Sequence, residues 1–374
     1  MSKCFGSVGQ VSKKIRVAVI FGGRSSEHSI SCISAGSVLR ALDRNLYDVV
    51  PIGITKSGKW VLEADNADRL AIQNGVFPEV DSTNPAVLFT ADPSAKDLVV
   101  QSNVPEVLQQ FDVAFPVLHG PWGEDGTIQG LLELAGIPYV GSGVFASAAA
   151  MDKAHLKAMM HSAGLPIGPY EVVSNAQWLT EKDASLARIK TLGLPVFIKP
   201  CRAGSSVGIS KVKSHDDLVA AIEAARIHDP KIIAEASIEN AREIECGVLG
   251  TSKGPKASVC AEIIVRDGHE FYDFEAKYVD DSVELSVPAK LDPAQHEKLR
   301  ELAVQAFLAM DGEGLARVDM FVTGNDVVIN EINTMPGFTP ISMYPRMWAE
   351  TGLDYPALVD ALVQDALRRG VGLR

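Results

Sequence analysis

The chain has 374 residues, enough for two or three domains with their own cores, and its 47% apolar and 22% charged residues are ordinary for a globular protein. A formal net charge of −12 argues against nucleic acid as a partner, because proteins that hold a phosphate backbone normally carry a basic surface. We expect no membrane partner and no signal peptide, since no apolar window of about 18 residues occurs and no apolar run precedes Ile15. The five cysteines form no C-x-x-C pair and are interpreted as reduced thiols, which favours a cytoplasmic protein.

The first predicted unit is a buried strand followed by a glycine turn and a helix. The apolar run Ile15–Phe21 is typical of a parallel strand, a Gly-Gly pair turns the chain, and a helix begins at Ser26. This order opens a doubly wound α/β domain, in which ligands bind at the carboxyl ends of strands. No third glycine completes G-x-G-x-x-G, so a dinucleotide site is not predicted. The segment 24–29, RSSEHS, either lines a ligand site or only caps the helix through Ser25 or Ser26.

The rest of the N-terminal region ends in a second group of polar residues. Strands are predicted at Val49–Thr55 and Trp60–Leu62, and residues 64–105, which contain several prolines, are interpreted as an insertion of mixed structure. Phe111–Leu118 is another buried strand, and the sequence HGPWGEDGT follows it before the next helix. Because it lies on this loop, His119 is a candidate for chemistry rather than a core histidine.

The middle of the chain combines lysines with a loop of small residues. A helix is predicted over Ala146–Ala163, a strand over Pro195–Lys199, and then a loop, 200–208, with the sequence PCRAGSSVG. Backbone amides of such a loop can bind phosphates, although the Walker A pattern is absent. Within the loop, GSSVG fits the G-x-S-x-G elbow of serine hydrolases. That elbow leads into a helix, whereas Ile209–Val212 is predicted as a strand, so a hydrolase is the weaker alternative.

The last third of the chain is predicted to alternate helices with an antiparallel sheet. A helix is expected over Asp216–Ile227, a strand over Lys231–Glu235, and a long amphipathic helix over Asp292–Met310. A final amphipathic helix, Tyr355–Arg368, is expected to pack on the first domain.

Two strands near the C-terminus, Ala316–Thr323 and Val327–Asn333, form a predicted hairpin with a three-residue loop. In that register Asp319 faces Glu331, and Asn333 lies on the same face. Opposed side chains lie about 4.5–5.5 Å apart, and like charges there are destabilising. Two carboxylates and an amide oxygen favour Mg²⁺ or Mn²⁺ over zinc. The alternative is a solvated hairpin face whose charges diverge.

Eight segments stand out together, and from the N-terminus they read GGRSSEHSIS, LHGPWGEDGTIQG, MDK, FIKPCRAGSSVG, AREIECGVLG, FYDFEAKY, ARVDMF and NEINTMPGFTPISM. In this order and spacing they resemble the D-alanine–D-alanine ligases of the ATP-grasp superfamily across nearly all of residues 15–370. The resemblance implies an α/β and α+β protein with a three-domain ATP-grasp fold, in which an N-terminal parallel-sheet domain precedes two domains that sandwich ATP. The implied domains are residues 1–141, 142–235 and 236–374.

The same resemblance implies the positions that bind nucleotide and metal. The ATP-binding positions are Lys153, Lys199, Ser205, Glu235, Ala236, Ile238, Glu243 and Lys277. Within this set, Glu235, Ala236 and Ile238 match a hinge that meets adenine, although the stretch that follows Glu235 is one residue longer than the usual form. Glu243 matches the carboxylate that binds ribose. The implied ligands of two Mg²⁺ ions, for which Mn²⁺ can substitute, are Asp319, Glu331 and Asn333.

The implied reaction is the ATP-dependent joining of two D-alanine molecules through a D-alanyl phosphate, which supplies a peptidoglycan precursor. The implied catalytic residues are Glu27, Ser205, Tyr278, Arg317 and Lys277. The implied substrate-binding residues are Glu27, His119, Arg317, Gly337, Ser342 and Met343. In the family, a tyrosine at the position of Tyr278 accompanies dipeptide ligases, and relatives that use D-lactate or D-serine differ in this loop.

The resemblance also implies a homodimer formed through the N-terminal domain and a cytoplasmic location, and it leaves a monovalent cation open as a further cofactor. Two alternatives are kept. One is a D-alanine–D-lactate or D-alanine–D-serine ligase, and the other is a nucleotide-binding regulator without catalytic activity. Every charged position that the resemblance matches is filled in this sequence, which weakens the second alternative.

Overall fold

A computed structural model describes residues 13–94, 98–101, 106–108, 110–265 and 283–372. The strands in this part of the chain are β1 (Ile15–Gly22), β2 (Tyr47–Ile54), β3 (Trp60–Leu62), β4 (Ala86–Phe89), β5 (Leu98–Gln101), β6 (Glu106–Leu108), β7 (Val113–Pro116), β8 (Tyr170–Val173), β9 (Val196–Pro200), β10 (Ser210–Val212), β11 (Ile232–Ala236), β12 (Arg242–Leu249), β13 (Lys256–Val265), β14 (Val283–Ser286), β15 (Leu315–Thr323) and β16 (Asp326–Asn333). The α-helices are α1 (His28–Ala41), α2 (Thr127–Leu134), α3 (Val144–Met151), α4 (Lys153–Ser162), α5 (Asn175–Thr180), α6 (Lys182–Lys190), α7 (Leu218–Arg226), α8 (Pro293–Ala309), α9 (Met343–Glu350) and α10 (Tyr355–Arg369).

The first sheet has the strand order β6-β5-β4-β3-β2-β1-β7. Its parallel part lies at one end: β1 pairs in parallel with β2 and β7, while the strands from β3 to β6 are added antiparallel. The predicted insertion, 64–105, therefore extends the sheet with β4 and β5. The carboxyl ends of β1 and β7 lie side by side, which places the two polar loops of the N-terminal region next to each other.

The C-terminal helix completes the core of the first sheet, as predicted. Leu358 and Leu362 of α10 belong to the same buried cluster as Val17 and Phe115 of the sheet. The hydroxyl of Tyr47 also donates a hydrogen bond to a carboxylate of α10. Residues from opposite ends of the chain therefore share one hydrophobic core.

The second sheet is antiparallel, with the order β10-β9-β11-β8, and α5, α6 and α7 supply side chains to its core. The helix that leads to it differs from the prediction, because the run Ala146–Ala163 is divided into α3 and α4. Asp152 causes the break: its carboxylate accepts hydrogen bonds from the N–H groups of Ala154 at 3.1 Å and His155 at 3.3 Å, as an N-cap does. Lys153 is consequently the first residue of a new helix.

The third sheet is also antiparallel, with the order β14-β13-β12-β15-β16. Its inner face packs on α8 through Leu299, Ala303 and Phe307, as the predicted amphipathic helix requires. Its other face is half-buried and lines the cavity described below. Among the helices of the described residues, none has the length and apolar character needed to cross a bilayer.

The hairpin of β15 and β16 has the predicted pairing at its functional end but a different turn. Thr323 pairs with Asp326, so the loop has two residues rather than three. Asn330 then forms a bulge, after which Asp319 pairs with Glu331 as predicted. Asn330 and Glu331 are both half-buried, which interrupts the alternation of the strand. The shorter turn and the bulge thus compensate each other.

Candidate active site

One cavity of about 1400 Å³ runs between the three sheets, and it collects the residues predicted from the sequence. Those that line it are Glu27, His119, Lys153, Lys199, Ser205, Glu235, Ala236, Ile238, Glu243, Arg317, Asp319, Glu331, Asn333, Gly337, Ser342 and Met343. The remaining two predicted residues, Lys277 and Tyr278, lie outside the described residues. Residues that are more than 300 positions apart in the sequence therefore meet around a single space.

At the N-terminal end of the cavity, Glu27 is 7% exposed and accepts a hydrogen bond from the hydroxyl of Ser205. The hydroxyl of Ser25 donates to the carbonyl oxygen of His119 at 2.7 Å, and α1 begins without a side-chain cap. The Ser25 hydroxyl also accepts from the N–H of Glu27 at 3.2 Å, so Ser25 bonds at the start of α1 as well as to the second polar loop. Gly120 has a φ of +74°, and a Cβ there would lie 2.5 Å from Glu27 Oε2, so only glycine fits beside this carboxylate.

Two side chains of the loop after β7 hold the backbone of one residue, Met335, in the loop after β16. Nδ1 of His119 lies 3.0 Å from the carbonyl oxygen of Met335, and Oε1 of Glu124 accepts from the Met335 N–H at 3.1 Å. Since a carbonyl only accepts, Nδ1 carries the proton, and Nε2 can accept from the hydroxyl of Ser34 at 3.1 Å. Burial lowers the pKa of His119, which favours this neutral tautomer.

Glu124 lines the same cavity and is held in an unusual electrostatic environment. Its Oε2 accepts from the N–H of Gly120 at 2.6 Å. Burial and the nearby carboxylate of Glu27 together raise the pKa of Glu124 to about 8, since both disfavour a second negative charge. This residue was not predicted as a member of the site.

Buried lysines surround a single carboxylate at the junction of the second and third sheets. Glu235 is 8% exposed, and its two oxygens lie 2.5 Å from Nζ of Lys199 and 2.8 Å from Nζ of Lys157. Burial alone would raise the pKa of Glu235, but the two ammonium groups outweigh it and lower that pKa to about 2. Burial likewise opposes the charge on Lys199, yet Glu235 raises the pKa of this lysine. Glu235 and Lys199 therefore form an ion pair at neutral pH, and Lys157 lies at the second oxygen of the same carboxylate.

The face of the third sheet is acidic and is crossed by one guanidinium group. Arg317 donates to both oxygens of Asp319 at 2.7 and 2.6 Å, and it lies 3.3 Å from Glu245. Burial opposes the charge on Arg317, but Asp319 and Glu245 raise its pKa well above the ordinary value. On the neighbouring strand, Glu331 lies 3.7 Å from Nζ of Lys153, and the amide of Asn333 donates to Asp319 at 3.0 Å.

This face fits a divalent cation in its donor chemistry. Asp319 and Glu331 provide carboxylate oxygens and Asn333 an amide oxygen, a set that hard cations prefer. Glu243 and Glu245 add two more carboxylates to the same face, so the negative charges outnumber the positive charges of Arg317 and Lys153. Within the described residues, no group of three or more His, Cys, Asp or Glu side chains is arranged to hold a metal ion by itself, so the amide of Asn333 would have to complete the site.

The loop after β16 carries hydrogen-bond donors that line the cavity. Ser342 Oγ accepts from the N–H of Thr339 at 3.1 Å, and it would contact any Cβ at Gly337 at 3.2 Å. Met343 is the first residue of α9, so its N–H is one of the unpaired amides at a helix N-terminus. Such amides favour an anionic group.

The part of the cavity between the second and third sheets has apolar walls. Phe197 faces it from the second sheet, and Met320 and Leu285 from the third. Ala236 and Ile238 lie at the end of β11, where the chain passes from one sheet to the other. An aromatic base can be buried here, while the acidic end of β12, with Glu243, remains next to it.

Three side chains of the site were missed by the sequence analysis, and each had a weak signal. Lys157 follows Lys153 by four residues on α4, the spacing that places two side chains on one helix face. Glu245 follows Glu243 by two residues on β12, the spacing of one strand face. Glu124 belongs to the same polar loop as His119.

The loop of Ser205 leads into β10 and not into a helix, which excludes the hydrolase elbow.

The chain has an open α/β sheet followed by two antiparallel sheets, which enclose a cavity lined by lysines and acidic oxygens. This arrangement defines the class of ATP-grasp proteins. The family model for the D-ala D-ala ligase N-terminus matches residues 16–142, and that for the D-ala D-ala ligase C-terminus matches residues 159–364. The chain therefore belongs to the D-alanine–D-alanine ligase family.

Similar proteins agree with this assignment. A D-alanine–D-alanine ligase of Streptomyces griseus is 55% identical over 373 residues, covering 97% of this chain and 95% of that protein. One of Mycobacterium avium is 56% identical over 371 residues, covering 97% and 99%. Among solved structures, the VanG D-Ala:D-Ser ligase of Enterococcus faecalis superposes with a TM-score of 0.83 at 37% identity, covering 95% of this chain and 100% of that one. The D-alanine-D-alanine ligase of Coxiella burnetii gives 0.79 at 33%, covering 95% and 94%.

Proposed function

We propose that this protein joins two D-alanine molecules to D-alanyl-D-alanine at the expense of ATP, for the synthesis of peptidoglycan precursors. The observation that carries the proposal is the convergence of sixteen predicted residues on one cavity in a chain of this family. The cavity offers an apolar pocket for a base, buried lysines for phosphates and two groups of polar side chains and amides for two amino acids. The two groups lie next to each other, because His119 and Glu124 bond to Met335 in the loop that carries Gly337 and Ser342.

The first step is phosphoryl transfer. The carboxylate of the first D-alanine attacks the γ-phosphorus of ATP, ADP leaves, and a D-alanyl phosphate forms. Such a reaction requires mainly positioning and neutralisation of charge. Lys153 at the start of α4 and Lys199 on β9 supply positive charge to the cavity, and Lys277, which lies outside the described residues, is proposed to join them.

Asp319, Glu331 and Asn333 are the residues that would hold divalent cations, proposed to be two Mg²⁺ ions with Mn²⁺ as a substitute. When bound, these ions neutralise the negative charge of the phosphates. Both oxygens of Asp319 accept from Arg317, so this guanidinium would orient the carboxylate that holds the cation.

The second step is acyl transfer. The amino group of the second D-alanine attacks the acyl carbon, inorganic phosphate leaves, and the nitrogen loses a proton. Arg317 and the N–H of Gly337 stabilise the oxyanion that develops, because preorganised donors act strongly where water is excluded. No side chain of the enzyme forms a covalent bond in this scheme.

Each amino acid is recognised by its charge. Glu27, with His119 beside it, accepts the ammonium of the first D-alanine, and Ser205 fixes the orientation of this carboxylate. The hydroxyl of Ser342 and the N–H of Met343 bind the carboxylate of the second D-alanine. Tyr278 is proposed to extend the chain of hydrogen bonds from Glu27 and Ser205 and to select D-alanine as second substrate.

The nucleotide lies between the second and third sheets. Glu235, Ala236 and Ile238 are proposed as the hinge that meets adenine, and Glu243 as the acceptor for ribose. Because the side chain of Glu235 is held by two lysines, its contact with adenine would come from the backbone.

We propose domains of residues 1–141, 142–235 and 236–374, because the three sheets fall largely into these three segments, while α10 of the last segment packs on the first sheet. We also propose a homodimer formed by the N-terminal domain and a cytoplasmic location, both from the family resemblance. Activation by a monovalent cation is included as a variable in the assay.

A second candidate differs only in the second substrate. The VanG protein, with a TM-score of 0.83, is a D-Ala:D-Ser ligase, so the fold by itself accommodates that activity. The curated relatives at 55% and 56% identity are D-alanine–D-alanine ligases, which favours D-alanine here.

The test is phosphate release from ATP and Mg²⁺ with D-alanine alone, with L-alanine, and with D-alanine plus D-serine or D-lactate, each with and without K⁺. Products are identified by mass spectrometry. We expect phosphate and a dipeptide mass with D-alanine alone and neither with L-alanine or without Mg²⁺. A mixed D-Ala-D-Ser peptide or a D-lactate ester as main product would overturn the substrate assignment, and no phosphate under any condition would overturn the ligase activity.

A further inference from the structure

Lys157 is a buried cation with no assigned role in the reaction. It lies on α4 one turn after Lys153 and is 4% exposed. Among the described residues it does not belong to the cavity lining, so it has no direct access to a ligand there. A lysine is rarely buried to this extent unless it has a specific partner.

That partner is Glu235, which Lys157 shares with Lys199. Nζ of Lys157 lies 2.8 Å from Oε1 of Glu235, while Nζ of Lys199 lies 2.5 Å from Oε2. Lys157 also reaches the carbonyl oxygen of Asn330, the bulge residue that precedes Glu331, at 3.4 Å. Its position thus links the helix, the hinge strand and the acidic hairpin.

The charges of this cluster do not cancel. Within this group of three, two ammonium groups face one carboxylate, and only Lys199 and Glu235 line the cavity, where the carboxylates of Glu331 and Glu243 act more weakly on Lys199. Without Lys157, the pair of Lys199 and Glu235 would be neutral overall, and the carboxylate would compete with a phosphate for the Lys199 ammonium. The cation behind the carboxylate therefore decides how much charge the cavity offers.

We propose that Lys157 is a positioning residue for ATP, which holds the Glu235 carboxylate so that the Lys199 ammonium keeps a net positive charge for the phosphates. The inference rests on the proposed function, because it assumes that Lys199 meets ATP. It assigns to Lys157 an effect on nucleotide binding through Glu235, without contact to the nucleotide.

The experiment measures the Kd of Mg²⁺-ATP by titration calorimetry in the full-length protein, together with KM for D-alanine. Replacing Lys157 by Met removes the charge and keeps most of the volume. We expect ATP binding to weaken about tenfold or more, which corresponds to one charge-assisted hydrogen bond, while KM for D-alanine changes less than about twofold. Lys190→Met, an exposed position on α6, makes the same change of net charge and should bind ATP like the wild type.

A double variant separates this role from simple core stability. In K157M/E235Q the cluster contains only Lys199 and again carries one positive charge, so ATP affinity should recover toward the wild-type value. If Lys157 only fills and stabilises the core, the two substitutions should instead weaken binding additively. Lys157→Arg keeps the charge and should retain most of the affinity even if Lys157→Met folds poorly.

The outcomes are distinct. The inference would be overturned if K157M and K190M bound ATP equally well, or if the double variant bound ATP more weakly than K157M. The proposed function would still hold in either case if the wild type makes the dipeptide. A wild-type protein that binds no ATP would contradict both the inference and the proposed function.

Discussion

Glu235 and Glu124 line the same cavity, and their ionisation is shifted in opposite directions. The pKa of Glu235 is lowered to about 2, whereas the pKa of Glu124 is raised to about 8. Burial disfavours the charge of both carboxyl groups, so burial does not explain the difference. The neighbours do: Glu235 lies between two lysines, while Glu124, among the described residues, accepts from two backbone N–H groups and lies near the carboxylate of Glu27.

The comparison divides the cavity into two electrostatic regions. Around Glu235 the structure supports a fixed ion cluster that suits phosphates, which remain anionic. Around Glu124 it supports a neutral carboxyl group that accepts hydrogen bonds from Gly120 and Met335 without adding a negative charge next to Glu27. The same residue type thus serves as an ion in one region and as a neutral acceptor in the other.

The largest expected effect is at Glu235. Glu235→Gln should lower the free energy of unfolding by about 3–5 kcal/mol, because it leaves two buried ammonium groups without their counter-ion. Urea denaturation followed by tryptophan fluorescence measures this change. Glu297→Gln on α8 is the matched control, since that carboxylate pairs with Arg300 at the surface.

The contrast between Glu235 and Glu124 would be contradicted if Glu235→Gln and Glu297→Gln lowered the free energy of unfolding equally. Such a result would mean that the lysines near Glu235 are compensated by other groups or lose their protons at little cost.

The second effect is a pH dependence at Glu124. Its pKa rises from 4.5 in the unfolded chain to about 8 in the folded protein, so between these values the native state binds a proton that the unfolded state has lost. Stability should therefore decrease with rising pH across this window, by up to about 1.4 kcal/mol per pH unit from this group. Glu124→Gln should remove that contribution.

The measurement is the difference in unfolding free energy between wild type and E124Q at pH 6, 7 and 8. Gln loses one acceptor for the two N–H groups, but that loss is constant with pH. Only a difference that grows in favour of E124Q as pH rises agrees with a neutral Glu124, and a constant difference contradicts it.

The smallest expected effect tests how much Glu27 contributes to the raised pKa of Glu124. Glu27→Gln removes the second of the two contributions that raise the pKa of Glu124, and burial, the larger one, remains. The pH range over which Glu124 changes the stability should move to lower pH, but the pKa of Glu124 should stay above the ordinary value of a glutamate. The same pH series, performed on E27Q and on E27Q/E124Q, isolates this shift, and an unchanged window would show that Glu27 does not influence Glu124.

Part of this molecule could be predicted from local patterns. The apolar strands, the helix over residues 293–309 and the facing of Asp319 and Glu331 follow from periodicity and hairpin geometry. The pairing was predicted from a three-residue loop, whereas the chain has a two-residue loop and a bulge at Asn330. Both give the same register beyond the bulge, so periodicity alone could not distinguish them.

Other features depend on contacts that no local pattern contains. The helix break at Asp152 depends on a cap that also receives the ammonium of Lys231, 79 residues away. The state of Glu235 depends on Lys157 and Lys199 from two other elements, and that of Glu124 on Glu27. The members of the site were predicted mostly from the family resemblance, while their electrostatics required the fold.

The C-terminal helix has a consequence for the synthesis of the protein on the ribosome. The core around Val17 and Phe115 is completed by Leu362 and Ala366, which are translated about 250 residues later. At roughly 5–20 residues per second, the N-terminal sheet waits on the order of 10–50 s with an apolar face uncovered. Nascent chains of this protein should therefore depend on chaperones until the last helix emerges, and truncations that remove α10 should be degraded or aggregate rather than yield a shorter enzyme.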